Sequence, residues 1–196
     1  IRDSDSSLGF LPRAGIVHRL DKDTSGLMVI AKKESSYLNL IDQLKARSVR
    51  RTYLAIVVGV PISNKTINAP IGRHPKIRTK QAINQNGKEA ITRISVSESF
   101  KGYALLKVNL ETGRTHQIRV HLSHIGYPII GDSVYGARKQ FAPSSTEEIK
   151  TTISEFKRQA LHAEELELMH PATQKSISFE AKIPSDMARL LEILKA

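Results

Sequence analysis

Apolar and polar positions along this chain fall into distinct rhythms, and each predicts an element. The unbroken apolar run Leu27-Met28-Val29-Ile30-Ala31 predicts a buried strand over residues 27–33. Over residues 34–47, Leu38, Ile41 and Leu44 recur every third position between polar neighbours, which predicts an amphipathic helix. Residues 50–60 carry Tyr53, Leu54, Ile56, Val57 and Val58 and predict a mostly buried strand ended by Pro61. Residues 67–71 read as a short strand. Asn86-Gly87 is the strongest hairpin signal, because both residues tolerate positive φ. It is expected to join a strand near residues 80–85 to one at 89–100. Lys101-Gly102 then turns the chain into residues 103–111, where Leu106, Val108 and Leu110 alternate with polar positions, so three consecutive antiparallel strands are expected.

Thr112-Gly113-Arg114-Thr115 breaks that strand, and residues 116–125 read as a helix stopped by Gly126 with Pro128 beyond. Residues 136–150 have no period and are expected to form a mobile loop, with a short helix over 147–157. Leu161, Ala163, Leu166 and Leu168 predict a strand turned at Pro171-Ala172 into another over 176–181. Ser185 is the expected N-cap of a last helix with Met187, Leu190, Leu191 and Leu194 on one face. Residues 1–15, rich in Asp, Ser, Gly and Pro, read as an extended lead-in. Hairpin-joined strands with a few helices predict an α+β fold, one domain over residues 1–196 with a largely antiparallel sheet, and argue against a doubly wound parallel one.

Charge narrows the partners. Thirty Lys and Arg oppose 19 Asp and Glu for a net +11, dispersed along the 196 residues, a balance that favours a polyanion, most often nucleic acid. The chain has no Cys, which excludes disulfides, thiolate zinc sites, cysteine nucleophiles and the zinc-deaminase pattern, and is compatible with the reducing cytoplasm expected for it. No apolar run approaches the roughly 18 to 20 residues that span a bilayer and no signal peptide is visible, so a soluble protein without membrane contact is expected. The chain opens on Ile1 and not on Met, so missing upstream residues are expected.

Candidate chemistry gathers in two polar strings. In His18-Arg19-Leu20-Asp21-Lys22-Asp23-Thr24-Ser25-Gly26, two carboxylates, two cations and two hydroxyls run straight into the first apolar run, so a stiff support is expected to place them. Asp21 is the first candidate. Asp, Ser, Thr and Gly also gather in ordinary turns, and composition alone leaves both readings open. The second string is Glu111-Thr112-Gly113-Arg114-Thr115-His116-Gln117-Ile118-Arg119-Val120-His121, continued by Gly126-Tyr127-Pro128-Ile129-Ile130-Gly131-Asp132 and Tyr135-Gly136. A Walker phosphate loop would need glycine at position 108, where Val108 stands. His116 and His121 are five residues apart, about 500° around a helix against the roughly 400° of a metal-binding i, i+4 pair, so no metal site is expected. An arginine beside Asp21 would hold its carboxylate ionised in a dry cleft.

His-Arg-Leu-Asp-x-x-Thr-Ser-Gly resembles the signature around the catalytic aspartate of the RluA family of RNA pseudouridine synthases, and the second string resembles that family's motif position by position. Arg51-Thr52-Tyr53-Leu54-Ala55 is similar to the segment bearing the family's active-site tyrosine. Arg73-His74-Pro75, Gln159-Ala160-Leu161-His162-Ala163 and His170-Pro171 look most like the branch acting on large-subunit ribosomal RNA. The resemblance runs from about residue 16 to the C-terminus and implies the pseudouridine-synthase fold, a curved sheet crossed by a catalytic cleft. It implies a reaction without cofactor or metal: the uridine C1′–N1 bond breaks, the uracil turns, and C5 joins C1′. Asp21 is then the nucleophile or base at the sugar, Arg119 its charge partner, and Tyr53 the ring that stacks on the base and assists loss of the C5 proton. Arg19 is implied to hold RNA around the extruded nucleotide, with Arg114, His116 and Gln117 lining the site and contacting RNA. Arg73, His74, Arg78 and Lys80 are candidate phosphate contacts, a solvated loop being an equal reading. The implied partner is RNA, ribosomal first and transfer RNA second, bound by a monomer with an S4-like domain upstream. The rivals are a noncatalytic RNA-binding or ribosome-assembly protein of the same fold, and a glycosidase using Asp21 and Asp23 at a separation of roughly 5 to 9.5 Å.

Overall fold

A computed structural model describes residues 10–136 and 141–196. At its centre runs β2 (Arg50–Val58), buried from Arg51 to Val58. It is flanked on both edges, by β7 (Tyr103–Leu110) and by β8 (Leu161–Met169), both antiparallel to it. Flanked on both edges and covered on both faces, such a strand must be apolar almost throughout, which is why its sequence reads as a run and not as an alternation. Beyond β7 lie β6 (Ile91–Phe100) and β3 (Lys65–Asn68). On the far edge of β8, β1 (Ser25–Gly26) pairs in parallel with its start and β9 (Ser176–Glu180) antiparallel with its end. A separate hairpin is made by β4 (Ile71–Arg73) and β5 (Gln81–Ile83).

Among the described residues four α-helices complete the fold: α1 (Glu34–Lys45), α2 (Gln117–His124), α3 (Glu147–Glu155) and α4 (Ser185–Lys195). Ile118 and Leu122 of α2, Ile153 of α3, and Met187, Leu190 and Leu194 of α4 join Ile56, Tyr103 and Leu106 in one core. Leu40 of α1 heads a smaller cluster with Val17, Ala31, Val49, Leu166 and Leu168. The architecture is α+β with a largely antiparallel sheet, as the strand and helix rhythms predict.

Four local expectations are corrected. Residues 27–33 do not form a buried strand: ladder pairing stops at Gly26, Ile30 makes a single bridge to Ile16, and Met28 is exposed. Leu27 and Val29 pack on the α1 cluster, so the run covers a satellite core at the sheet's edge. A turn forms one residue earlier than expected, with Gln85 and Asn86 at its centre, the Gly87 N–H donating to the Asn84 carbonyl at 2.8 Å and neither Asn86 nor Gly87 at positive φ. It does not pair β5 with β6, because β5 pairs with β4 and Lys88 bridges to Ile71 of that same strand. Only β6 and β7 are consecutive paired strands of the three expected. Pro184, not Ser185, occupies the N-cap of α4, and no side chain bonds there. Of the expected mobile loop, residues 137–140 lie outside the described residues, whereas the Ala142 N–H donates to the buried Tyr103 hydroxyl at 3.0 Å and Ser145 lies 2.5 Å from it.

Gly26 ties the Asp21 loop to the sheet. Its φ is +108°, and a Cβ there would lie 2.1 Å from the Ala163 carbonyl oxygen. Gly26→Ala is therefore expected to lower stability by at least about 2 kcal/mol, read by urea melts, because both strain and backbone contact oppose the side chain; a wild-type melt would refute the close approach.

Candidate active site

The Asp21 loop is held from outside by the start of β8. The Gln159 amide donates to the Lys22 carbonyl at 2.7 Å and to the Thr24 hydroxyl at 2.9 Å. Ser25 Oγ sits 3.0 Å from His162 Nδ1, and the Leu27 N–H donates to the Ala163 carbonyl at 2.9 Å. These bonds fix a short polar turn to a stiff strand, which is the support a positioned carboxylate requires.

On the opposite side α2 begins at His116, whose backbone is left-handed with φ +56°. Gln117 locks this entry. It accepts from the Thr112 hydroxyl at 2.8 Å and the Arg114 N–H at 2.9 Å, and donates to the Ile91 carbonyl and the Thr92 hydroxyl. Its side chain has no bonding capacity left for RNA and is 2 % exposed, so the expectation that it contacts RNA is corrected: Gln117 builds the wall. Two residues on, Arg119 meets Asp132 through two parallel bonds, Nε to Oδ2 at 2.8 Å and Nη2 to Oδ1 at 2.9 Å. Its Nη1 reaches Asp21 Oδ2 at 3.4 Å. Side-chain exposures of 13 % for Asp21, 7 % for Arg119 and 1 % for Asp132 describe a charge triad that is dry at one end and opens at Asp21. Burial alone would pull the Arg119 pKa down, but the bonds and charges of Asp132 and Asp21 outweigh it and hold the guanidinium above its ordinary value.

Asp132 also accepts from the Val134 and Tyr135 N–H groups at 2.9 and 3.0 Å, which carries Tyr135 over the arginine, its ring centre 5.1 Å from the guanidinium carbon. The Tyr135 hydroxyl accepts from the Gln81 N–H at 2.9 Å and lies 2.8 Å from His116 Nδ1. Burial lowers the His116 pKa, so the ring is neutral near pH 7. Among the other histidines of α2, His121 engages both ring nitrogens, with the Thr92 hydroxyl and the Ala69 carbonyl.

Asp21 opens onto a cavity of about 580 Å³, whose walls include Arg19, Tyr53 and Arg114 with apolar Leu20, Leu110 and Ile118. Burial pushes the Tyr53 phenol above its ordinary pKa, with Arg51 opposing and Asp21 adding to the rise, so Tyr53 is a neutral ring. Arg73, His74, Arg78 and Lys80 are not on this wall. They lie on and between β4 and β5, where His74 Nδ1 accepts from the Lys76 and Ile77 N–H groups and Lys80 Nζ donates to the Val134 carbonyl at 2.8 Å. Arg73 and Arg78 are exposed. The hairpin is thus tied beside the site by Lys80 and Gln81.

A sequence profile described as RNA pseudouridylate synthase matches residues 3–124. The chain belongs to the RNA pseudouridylate synthase family. It is 54% identical over 185 residues to the ribosomal large subunit pseudouridine synthase D of Pseudomonas aeruginosa, covering 94% of this chain and 58% of that protein. It is 45% identical over 186 residues to the protein of the same name from Escherichia coli strain K12, covering 95% of this chain and 57% of that one. The chain therefore spans somewhat less than three fifths of the length of these relatives. Among solved structures, it is similar to human RNA pseudouridylate synthase domain containing 4, with TM-score 0.73 and 29% identity, covering 91% of this chain and 75% of that one.

Within this family member, Asp132, Tyr135 and Arg51 are site residues that sequence reasoning passed over. Asp132 and Tyr135 stood in the continuation of the second string, and a signal was available: an arginine in a dry cleft needs more acid than one aspartate that must also react supplies. His18 lies under the loop. Its Nε2 accepts from the Val29 N–H at 3.0 Å, and burial followed by the charge of Arg51 lowers its pKa to about 4. The unfolded chain takes up that proton near the ordinary imidazole value of 6.5, the folded one only near 4. This contribution to stability is therefore complete above pH 6.5 and lost as pH falls through that window. Wild type is expected to lose on the order of 2 kcal/mol more than His18→Gln between pH 7.5 and pH 5 in urea melts. Parallel losses would refute a buried neutral His18.

Proposed function

We propose that this chain carries the catalytic centre of an RNA pseudouridine synthase acting on uridines of large-subunit ribosomal RNA, in the cytoplasm where that RNA is assembled. The name printed for both bacterial relatives supports the substrate class. The observation that carries the reading is the Asp21 carboxylate, backed by Arg119 and opening beside Tyr53 onto a cavity of about 580 Å³. That volume falls within the roughly 300–1,000 Å³ of small-ligand sites and suits one extruded nucleoside.

The base must leave its stack, at a cost of a few kcal/mol offset by stacking and phosphate contacts in the cavity. Tyr53 offers its ring for the stacking, and the exposed Arg19 and the half-exposed Arg114 stand at the wall for phosphates. Asp21, paired with Arg119, either attacks C1′ or takes a proton from the sugar, and both steps need the anion. The C1′–N1 bond breaks, C5 bonds to C1′, the C5 proton is lost and N1 regains one, so the net change is an isomerisation. Being neutral, Tyr53 enters as a stacking and hydrogen-bonding group; as a phenol it is a poor acceptor for the C5 proton until it ionises.

The test is conversion of uridine in ribosomal and transfer RNA from cells lacking the protein, mapped by carbodiimide blocks to reverse transcription. Blocks in large-subunit RNA that return with wild type and not with Asp21→Ala are expected. Their absence from large-subunit RNA with presence in transfer RNA would overturn the substrate. Absence from both would favour a noncatalytic RNA-binding protein.

A further inference from the structure

Arg51 stands two positions before Tyr53 on β2, on the same face of the strand, and lines the same cavity. It is 8 % exposed, yet among the described residues none of its guanidinium N–H groups donates to a protein acceptor and no carboxylate lies within ion-pair distance. Burial pulls its pKa down, Tyr53 opposing. The tip of the guanidinium passes under the turn before α2: a Cβ on Gly113 would lie 2.7 Å from Nη1, so glycine leaves the room it occupies. Beside it, His18 is neutral. Because its Nε2 accepts from Val29, its Nδ1 carries the proton, and that donor also has no acceptor.

Two buried donors, one of them charged, thus border one cavity without a protein partner. Native interiors pair such groups, and a donor without a protein partner marks the place of a ligand, an ion or a water, or stored strain. The remaining charges of the cavity do not supply an anion. Its two acids are engaged elsewhere, Asp21 with Arg119 and Glu111 with Arg93 at 2.5 Å, while Arg13, Arg19, Lys45 and Arg114 add positive charge around it.

We propose that Arg51 is the anion anchor of the cavity, its terminal nitrogens binding a non-bridging phosphate oxygen of the RNA strand next to the uridine that stacks on Tyr53. A planar fork of N–H donors matches a phosphate, and only an ionic ligand compensates a buried cation; a neutral uracil carbonyl does not. The proposal rests on the RNA-modifying reading above and is tested apart from it.

The experiment titrates a large-subunit ribosomal RNA transcript with wild type, Arg51→Met, Arg51→Gln and Arg51→Lys over a range of KCl concentrations, alongside thermal melts of the free proteins. Loss of one phosphate contact is expected to lower the slope of log affinity against log salt by about 0.7 to 1, and to weaken binding roughly tenfold near 0.1 M salt, for Met and Gln but not for Lys. Without RNA, Arg51→Met is expected to melt at or above the wild-type temperature, since an unpaired buried charge is removed. A folded Arg51→Met with the wild-type slope and affinity would overturn the proposal. So would unfolding of both neutral variants, because the guanidinium would then be holding the fold. Failure of wild type to form pseudouridine in the same transcript would count instead against the functional reading, leaving the slopes to judge Arg51.

Discussion

Asp21→Asn is expected to lower conversion of uridine by roughly 10⁴-fold or more, with RNA affinity and thermal stability close to wild type. The amide keeps the size of the carboxylate but can neither attack C1′ nor take a proton, so it removes the reacting group and little else. Structure argues that folding tolerates it. The contact from Arg119 Nη1 to Asp21 is 3.4 Å, long for a charge-assisted bond, whereas the two bonds to Asp132 are 2.8 and 2.9 Å. Arg119 therefore stays neutralised when Asp21 is gone. Affinity is expected to hold or rise slightly, because a negative charge has left a cavity that receives phosphates. Single-turnover release of tritium from RNA labelled at uridine C5, beside a binding titration, measures both. Residual conversion within tenfold of wild type would remove Asp21 from the chemistry. A parallel collapse of binding and melting temperature would assign it to structure.

The elements that the chain announces are those decided by local pattern. β7, β8, α1 and α4 carry their own period, β2 its unbroken apolar run, and the chain turns within one residue of Asn86-Gly87. What pattern does not contain is the partner. Nothing local tells β5 to pair with β4 instead of β6, because Ile71 takes both Ile83 and Lys88 from far along the chain. The run at residues 27–31 looks like a core strand because its hydrophobicity is continuous, yet it packs a satellite cluster: Gly26, with φ +108°, ends the pairing one residue earlier. The site divides in the same way. Asp21, Tyr53 and Arg119 were legible from their strings, and the structure brings them to one place. Gln117, in the same string, turns inward, a difference that depends on which helix face meets β6. Arg51 was hidden because an arginine opening a strand reads as its solvated end.

Asp132→Asn is expected to injure both stability and turnover, the reverse of the Asp21 profile. Asp132 is the better-bonded partner of Arg119, with a side chain 1 % exposed and all its capacity in use: two bonds from the guanidinium and two from the Val134 and Tyr135 N–H groups. An asparagine oxygen at Oδ1 can keep three of these. Its NH₂ then faces Arg119 Nε, donor against donor, and the buried guanidinium has only the distant Asp21 for neutralisation. Breaking one side of a buried pair costs about 3 to 5 kcal/mol. For a chain of this size that corresponds to a fall of roughly 10 °C in melting temperature. Turnover is expected to drop by at least tenfold at temperatures where the variant is folded, because Arg119, drawn onto Asp21, ties up the carboxylate that must react. Since both substitutions act through one guanidinium, the Asp21→Asn/Asp132→Asn pair is expected to lose less activity than the product of the single losses. Strict multiplicativity would mean that the two acids act independently, and a wild-type melt for Asp132→Asn would show that Arg119 does not depend on it.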